Sequence, residues 1–152
     1  MSDIAKVMKM IKDKEVKFVD LRFTDTKGKW QHTAQTVETI DEKTFKDGIM
    51  FDGSSIAGWK DINEADMILK PDPSTAVMDP FTAQPQLVLF CDVIEPSDGK
   101  PYELDPRSTG KKAEEFLKNS GVGDKCFFGP EAEFFIFDDV KWSTSQEYTF
   151  FS

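Results

Sequence analysis

The 152-residue chain carries 19 Lys and Arg against 28 Asp and Glu, which gives a net charge of −9 at pH 7. So acidic a surface repels phosphate backbones, and this excludes a general DNA- or RNA-binding protein. Hydrophobic residues make up 39% of the chain and 14 residues are Phe, enough to build a core and to exclude a wholly disordered chain. The length fits one domain, or one small domain with part of a second.

The N-terminus is interrupted by charges every few residues, and no apolar stretch approaches the ~20 residues of a membrane span. We therefore expect a soluble, cytoplasmic protein without membrane contacts. The two cysteines, Cys91 and Cys126, each lie inside an apolar run and belong to no CxxC pair. We expect both to be reduced, buried core thiols.

The first hundred residues predict a small α+β unit that begins with a helix. Ser2 can cap this helix, and its apolar face follows helical spacing through Ile4, Val7, Met8 and Ile11.

The next segment predicts a β-hairpin. A β-branched and aromatic run at 16–23 is followed by a turn at 25–28 and a return strand at 30–34. One helical turn is expected over 41–45, and Gly48 ends it.

Two further strands are expected before a break in the chain. One is a short strand near 75–78, and the other is the nearly continuous apolar run 86–94, which is typical of a central strand covered on both faces. The turn-rich, polar segment 95–101 is the best domain boundary in the sequence.

Beyond this boundary the sequence predicts one helix and the start of a sheet. Asp105 and Pro106 open the helix, residues 113, 116 and 117 line its apolar face, and Gly121 ends it. A long strand is expected over 126–140, and another begins near 148–151.

The sharpest chemical feature is the pair Glu131 and Glu133 in the run GPEAEFFIF. In a strand both side chains face the same side, about 6.6 Å apart, which suits one or two divalent cations. Oxygen ligands of this kind favour Mg²⁺ or Mn²⁺. The competing interpretation is a wet strand face with two solvated glutamates, although Phe135 and Phe137 on the same side count against it.

A second feature is the loop Asp52-Gly53-Ser54-Ser55, where a carboxylate and two hydroxyls can approach a ligand closely. A plain turn is the alternative. Trp59 follows in polar company, which indicates either an exposed contact surface or a small core cluster.

Other motifs carry no chemistry. His32 has no nucleophile beside it and fits a surface position on the hairpin. The run 108–112 lacks the first glycine of a phosphate loop and has Lys112 where Ser or Thr is required. No zinc-binding spacing is present in the sequence.

Five motifs in order closely resemble bacterial type I glutamine synthetase, and together they cover nearly the whole chain. They are VKFVDLRFTDTKGKWQH (16–32), MFDGSSIAGWKDINEADM (50–67), DPSTAVMDPF (72–81), DPRS (105–108) and FGPEAEFFIFDD (128–139).

The resemblance implies an enzyme that joins ammonia to glutamate with ATP, through γ-glutamyl phosphate. It implies two divalent cations, with Glu131 and Glu133 as metal ligands. Asp52, with Ser55 beside it, and Asp66 would form the ammonium side of the site. Trp59 matches a loop Trp that packs at a subunit boundary.

The resemblance also implies a fold and an assembly. Residues 1–103 would form a β-grasp domain, and residues 104–152 would begin an incomplete catalytic domain. The family forms a double-ring dodecamer with active sites between subunits, so Asp52 and Glu131 of one molecule would serve different sites.

Family members are several times longer in their catalytic part, so the ATP pocket and the remaining ligands would lie beyond Ser152. We therefore expect the isolated chain to be inactive, and its residues beyond about 104 to expose apolar surface and aggregate. The alternatives are a fragment of a related glutamate–amine ligase and a non-catalytic interaction module.

Overall fold

The computed structural model describes residues 2–152. Its helices are α1 (Asp3–Asp13), α2 (Glu42–Asp47) and α3 (Pro106–Ser120). Its strands are β1 (Phe18–Thr24), β2 (Trp30–Thr36), β3 (Ile49–Asp52), β4 (Asp66–Pro71), β5 (Val77–Met78), β6 (Gln86–Ile94), β7 (Trp142–Thr144) and β8 (Thr149–Phe151).

Six strands form one mixed sheet in the order β2-β1-β6-β4-β3. Strands β1 and β6 are parallel, and the other neighbours are antiparallel. The short β5 and β4 both pair with β6, but with different parts of it. Strand β5 pairs with Leu87 and Val88, and β4 pairs with the later residues from Cys91 onward. Strand β6 is therefore central, as its apolar run predicts.

The predicted hairpin is confirmed as β1 and β2, with Thr24 opposite Trp30 at its closed end. Asp25 organises the turn, because its carboxylate accepts hydrogen bonds from the backbone N–H groups of Lys27 and Lys29, each at 2.9 Å. Gly28 adopts a φ of 82°, a conformation that favours glycine.

The two faces of the sheet differ in character. One face packs against α1 and α2 through alternate strand positions and forms the core. The other face carries Asp20 and Arg22 of β1, and α3 lies on it. The hydrophobic core residues below 2% exposure are Val7, Val19, Leu21, Met67, Leu69, Leu87, Leu89, Cys91 and Val93.

The helix ends follow the sequence signals. Ser2 caps α1 by accepting a hydrogen bond from the N–H of Ala5, and Asp41 forms a capping box with Thr44 at α2. Gly48 ends α2 with a φ of 81°, and a Cβ there would lie 2.3 Å from Cγ2 of Ile68. A larger residue therefore cannot replace Gly48 without strain.

The second half departs from the predictions. Helix α3 has the expected cap at Asp105 and a left-handed Gly121 at its end. Its apolar face is not buried, and Phe116 is 75% exposed. The strand expected over 126–140 is wrong, because these residues form no regular secondary structure and pair with no strand in the described part of the chain.

The last residues form a separate small hairpin of β7 and β8. Strand β8 confirms the strand predicted near 148–151, whereas β7 was not predicted. An apolar sequence becomes a strand only where a neighbour pairs with it, and Phe127, Phe128 and Ile136 each remain at least 86% exposed here.

The cysteine prediction is half right. Cys91 is buried in β6, and its burial raises the pKa of the thiol well above the ordinary value, so it stays protonated. Cys126 is exposed, because the segment 126–140 that contains it forms no strand. Within residues 2–152 no helix is long and apolar enough to cross a membrane.

Candidate functional site

Two carboxylates face each other at one end of the sheet. Asp52 is the last residue of β3, Asp66 is the first residue of β4, and the antiparallel register places them directly opposite. Cα atoms in such pairs are about 4.5–5.5 Å apart, so the two side chains share one small area of surface. Both residues are exposed. The structure thus brings together two of the three residues predicted for the ammonium side.

A short turn fixes the carboxylate of Asp52. Oδ1 accepts hydrogen bonds from the N–H of Ser54 at 2.9 Å and from its hydroxyl at 2.6 Å. The hydroxyl and then the backbone bond hold the pKa of Asp52 below its ordinary value. Asp52 is therefore a fixed negative charge at neutral pH, and Ser55 follows it, exposed, in the same turn.

Gly53 lets this turn lie close to the core. Its N–H donates to the carbonyl of Ala65 at 2.7 Å, and a Cβ at this position would lie 2.5 Å from Sδ of Met67. Met67 is fully buried. The position of the candidate site above the core therefore depends on a residue without a side chain.

An acidic cleft of about 470 Å³ adjoins Asp66. Glu64, Asp66 and Glu95 line it, and Lys60 pairs with Glu95 at 2.7 Å. The sequence reasoning did not single out Glu64 or Glu95, since they lie in polar loops without a motif of their own. The surplus of carboxylates at this end of the sheet favours a cationic ligand.

Trp59 is a core residue of this chain. Its side chain is 7% exposed, and its ring packs against Phe23 at 5.5 Å and Tyr102 at 5.1 Å between centroids. The Tyr102 hydroxyl donates to the Trp59 carbonyl at 2.8 Å. The interpretation as a core cluster is confirmed. The expectation of an exposed ring is wrong, because this chain's own aromatic residues cover it.

Glu131 and Glu133 lie in the segment 126–140, which forms no strand, and both are exposed. The structure does not bring them near a third donor: within residues 2–152, no three His, Cys, Asp or Glu side chains are close enough to hold a metal ion. Their carboxylates have the right chemistry for Mg²⁺ or Mn²⁺, but they are two donors for an ion that takes six or more. Their role as metal ligands stays a prediction.

His32 lies on the hairpin as predicted, with 64% of its side chain exposed. Its Nδ1 is 2.7 Å from the carboxylate of Asp20, which is 1% exposed and also accepts a 2.7 Å hydrogen bond from Nε of Arg22. His32 therefore belongs to a structural cluster with Asp20 and Arg22, and no nucleophile of a catalytic dyad takes part in this cluster.

The sequence reasoning missed the role of Arg107. It lies in the first turn of α3, where its Nε donates to Asp92 at 2.8 Å and its Nη2 pairs with Asp72. Asp105, fully buried, caps the same helix and accepts a hydrogen bond from the Ser108 hydroxyl at 2.8 Å. The Asp-Pro signal located this helix start, but nothing local indicates the partners that Arg107 finds 15 and 35 residues away.

Comparison with protein families explains both halves of the chain. The model of the glutamine synthetase β-grasp domain matches residues 15–96, and that of the glutamine synthetase catalytic domain matches residues 103–152. A β-grasp sheet followed by the start of a ligase catalytic domain is thus the architecture of this chain. The chain belongs to the glutamine synthetase family.

Individual relatives agree. Glutamine synthetase of Azospirillum brasilense is 65% identical over 142 residues, which is 93% of this chain and 30% of the relative. A protein named 3-hydroxylaminophenol mutase from Cupriavidus pinatubonensis is 58% identical over 144 residues, 95% of this chain and 31% of its own length.

A solved structure, the cryo-EM structure of Plasmodium falciparum glutamine synthetase, superposes with a TM-score of 0.76 at 29% identity. The match covers 99% of this chain and 29% of that chain. The chain thus spans about 30% of the length of the relatives it matches.

Proposed function

We propose that this chain is the N-terminal part of a cytoplasmic glutamine synthetase. The enzyme would phosphorylate the γ-carboxylate of L-glutamate with ATP, and ammonia would then displace phosphate from γ-glutamyl phosphate to give L-glutamine. The observation that supports this most directly is the exposed, opposed pair Asp52 and Asp66 at the end of a β-grasp sheet of this family.

Asp52 is suited to hold ammonium. Its pKa lies below the ordinary value because Ser54 hydrogen-bonds to the charged form, so the carboxylate is ionised wherever ammonium is present. Asp66 opposite adds a second carboxylate, and Ser55 adds a hydroxyl. As ammonium loses a proton to a carboxylate, neutral ammonia with its free electron pair becomes the nucleophile.

Glu131 and Glu133 would supply carboxylate oxygens to Mg²⁺ or Mn²⁺. Such cations would offset negative charge on the glutamate and on the ATP phosphates. Both side chains are exposed, and among the described residues 2–152 no third His, Cys, Asp or Glu lies close enough to complete a metal site, so we infer that they act only with ligands from a longer chain.

We further infer an assembly with active sites between subunits, as in a double-ring dodecamer. In that arrangement Asp52 of one molecule and Glu131 of the same molecule serve different sites. We expect the isolated 152-residue chain to be inactive, since within residues 2–152 no three His, Cys, Asp or Glu side chains are close enough to hold a metal ion.

A related glutamate–amine ligase is the competing function, and a non-catalytic interaction module is the other. The 58% identical relative with the name of a mutase shows that identity over this segment alone does not fix the reaction. Retention of Asp52 favours ammonia over larger amines, because a carboxylate pair on so small an area recognises a small cation.

A chimera tests the proposal. The matching segment of the Azospirillum brasilense enzyme is replaced by this chain, and product formation is measured with ammonia, methylamine and ethylamine as alternative nucleophiles. We expect the chimera to form glutamine within about tenfold of the parent rate and to prefer ammonia, since the graft is 65% identical. A chimera that assembles like the parent but prefers an alkylamine, or forms no amide, contradicts the proposal.

A further inference from the structure

The start of α3 is joined to the sheet by a network of charged side chains. Arg107 bridges two carboxylates of the sheet. Its Nε donates to Asp92 of β6 at 2.8 Å, and its Nη2 pairs with Asp72, the residue that follows β4. One turn later, Lys111 donates to the other oxygen of Asp92 at 2.5 Å.

The cap of α3 is joined to the same strand. Asp105 is fully buried, and its Oδ2 accepts hydrogen bonds from the N–H of Val93 in β6 at 3.4 Å and from Ser108. Just before it, the N–H of Tyr102 donates to the carbonyl of Val93 at 2.8 Å. The chain is thus held on β6 from Tyr102 to Lys111.

After Lys111, no hydrogen bond or ion pair joins α3 to the sheet within residues 2–152. Lys118 pairs with Glu114 of its own helix and with no other carboxylate of residues 2–152, and Phe116 is 75% exposed. The first part of α3, 106–111, is therefore joined to the sheet by polar contacts, and the rest, 112–120, is not. We call 112–120 the free half, although α3 is one continuous helix.

We propose that Arg107, with Lys111, forms an electrostatic latch that fastens the first two turns of α3 to the β-grasp sheet. The unit that folds on its own then extends past the family boundary near residue 103, into the catalytic-domain segment. The latch fixes the direction in which the chain leaves the sheet toward residues 121–140. This inference concerns folding and stands independently of the proposed function.

The charges are placed to make such a latch effective and sensitive to salt. The side chains of Arg107, Asp72 and Asp92 are 30%, 23% and 21% exposed, so water screens their attraction only in part. Partial burial of Asp72 raises its pKa. Hydrogen bonds from Ser74 and the charges of Arg107 and Lys111 lower the pKa by more than burial raises it, so the pKa lies below the ordinary value.

Hydrogen exchange of the intact 152-residue chain tests the latch. Arg107→Gln removes the charge that bridges two strands, whereas Lys118→Gln removes an equal charge from the free half of the same helix. Since an isolated helix of this length is marginal in water, release from the sheet lets α3 unravel. We expect Arg107→Gln to speed exchange of amides 109–113 about five- to tenfold, with β1 and β6 unchanged, and Lys118→Gln to leave these amides as they are.

Equal exchange in the two variants would overturn the latch, as would an Arg107→Gln effect spread evenly over β1 and β6. A second measurement needs no variant. In the unmodified chain, raising KCl to about 1 M shortens the screening length to about 3 Å, and exchange at 109–113 should rise several-fold while β6 stays protected. Salt-independent exchange at 109–113 would contradict the inference.

Discussion

Asp52 and Asp72 lie in two turns of the same kind, but only Asp72 forms an ion pair within residues 2–152. Each accepts hydrogen bonds from the N–H, at 2.9 Å, and the hydroxyl, at 2.6 Å, of the serine two residues later. Asp72 then pairs with Arg107, whereas in residues 2–152 Asp52 pairs with no Lys or Arg. Of these two fixed carboxylates, Asp72 is thus neutralised by Arg107, whereas Asp52 has no Lys or Arg partner within residues 2–152.

Removing the Ser54 hydroxyl should raise the pKa of Asp52 toward its ordinary value of 3.8. Because the hydrogen bond favours the charged form, the stability it adds is present above the unfolded-state pKa and is lost as the pH falls through the folded-state pKa. Carboxyl ¹³C NMR titration of Ser54→Ala checks the shift. Ser74→Ala is the matched control, since it should move Asp72 and leave Asp52 alone; a shift of Asp52 in that control contradicts the assignment.

Gly53→Ala should destabilise the β-grasp unit by about 1–3 kcal/mol, because the new methyl group would lie 2.5 Å from the buried Sδ of Met67. Gly110→Ala is the control: it lies in α3 with nothing within 4 Å of a Cβ, and it should leave stability equal or higher. Urea unfolding followed by tryptophan fluorescence measures both. Equal stabilities of the two variants would show that Gly53 is not needed for close approach.

Asp20→Ala should lower the free energy of unfolding by about 2–3 kcal/mol. Asp20 is 1% exposed and accepts hydrogen bonds from Arg22 and His32, so its loss leaves the partly buried Arg22 guanidinium with Asp79 as its one remaining carboxylate partner in residues 2–152. Asp3→Ala removes an exposed carboxylate that pairs with Lys6, and it should change stability by less than about 0.5 kcal/mol. The two urea midpoints distinguish a structural cluster from a surface pair.

Limited digestion with chymotrypsin should cut first among the exposed aromatic residues beyond α3. Phe127, Phe128 and Phe135 are each at least 86% exposed and lie in backbone that pairs with no strand. A resistant product that retains the sheet and the start of α3 should accumulate, as mass spectrometry would show. Cleavage within the sheet at the same rate would mean that the first half is not an independent unit.

The sequence predicts the first half of the fold well because its signals are local. Alternation marks β1, the unbroken apolar run marks β6, and Ser2 and Asp105 mark helix starts whose caps lie within three residues. These features depend on residues close together in the sequence and on which positions are buried, and the order of apolar and polar residues indicates both.

The remaining features depend on distant partners. The opposition of Asp52 and Asp66 requires the β3–β4 register, and the role of Arg107 requires strands far away in the sequence. The run 126–140 has the composition of a strand, but pairing and not composition makes a strand, and in the described chain no other strand lies beside it. For the same reason Glu131 and Glu133 remain candidate ligands without a site.

The ammonium dependence of the chimera with the Azospirillum brasilense enzyme tests the central claim, that the fixed charge of Asp52 holds ammonium. Asp52→Asn keeps the size of the side chain and removes its charge, so we expect the apparent KM for ammonium to rise or kcat/KM to fall by about 100-fold, with the KM for ATP little changed. Asp98→Asn, in an exposed turn beside Lys100, should behave like the unmodified chimera. An Asp52→Asn chimera that assembles normally and keeps its ammonium dependence would contradict the account.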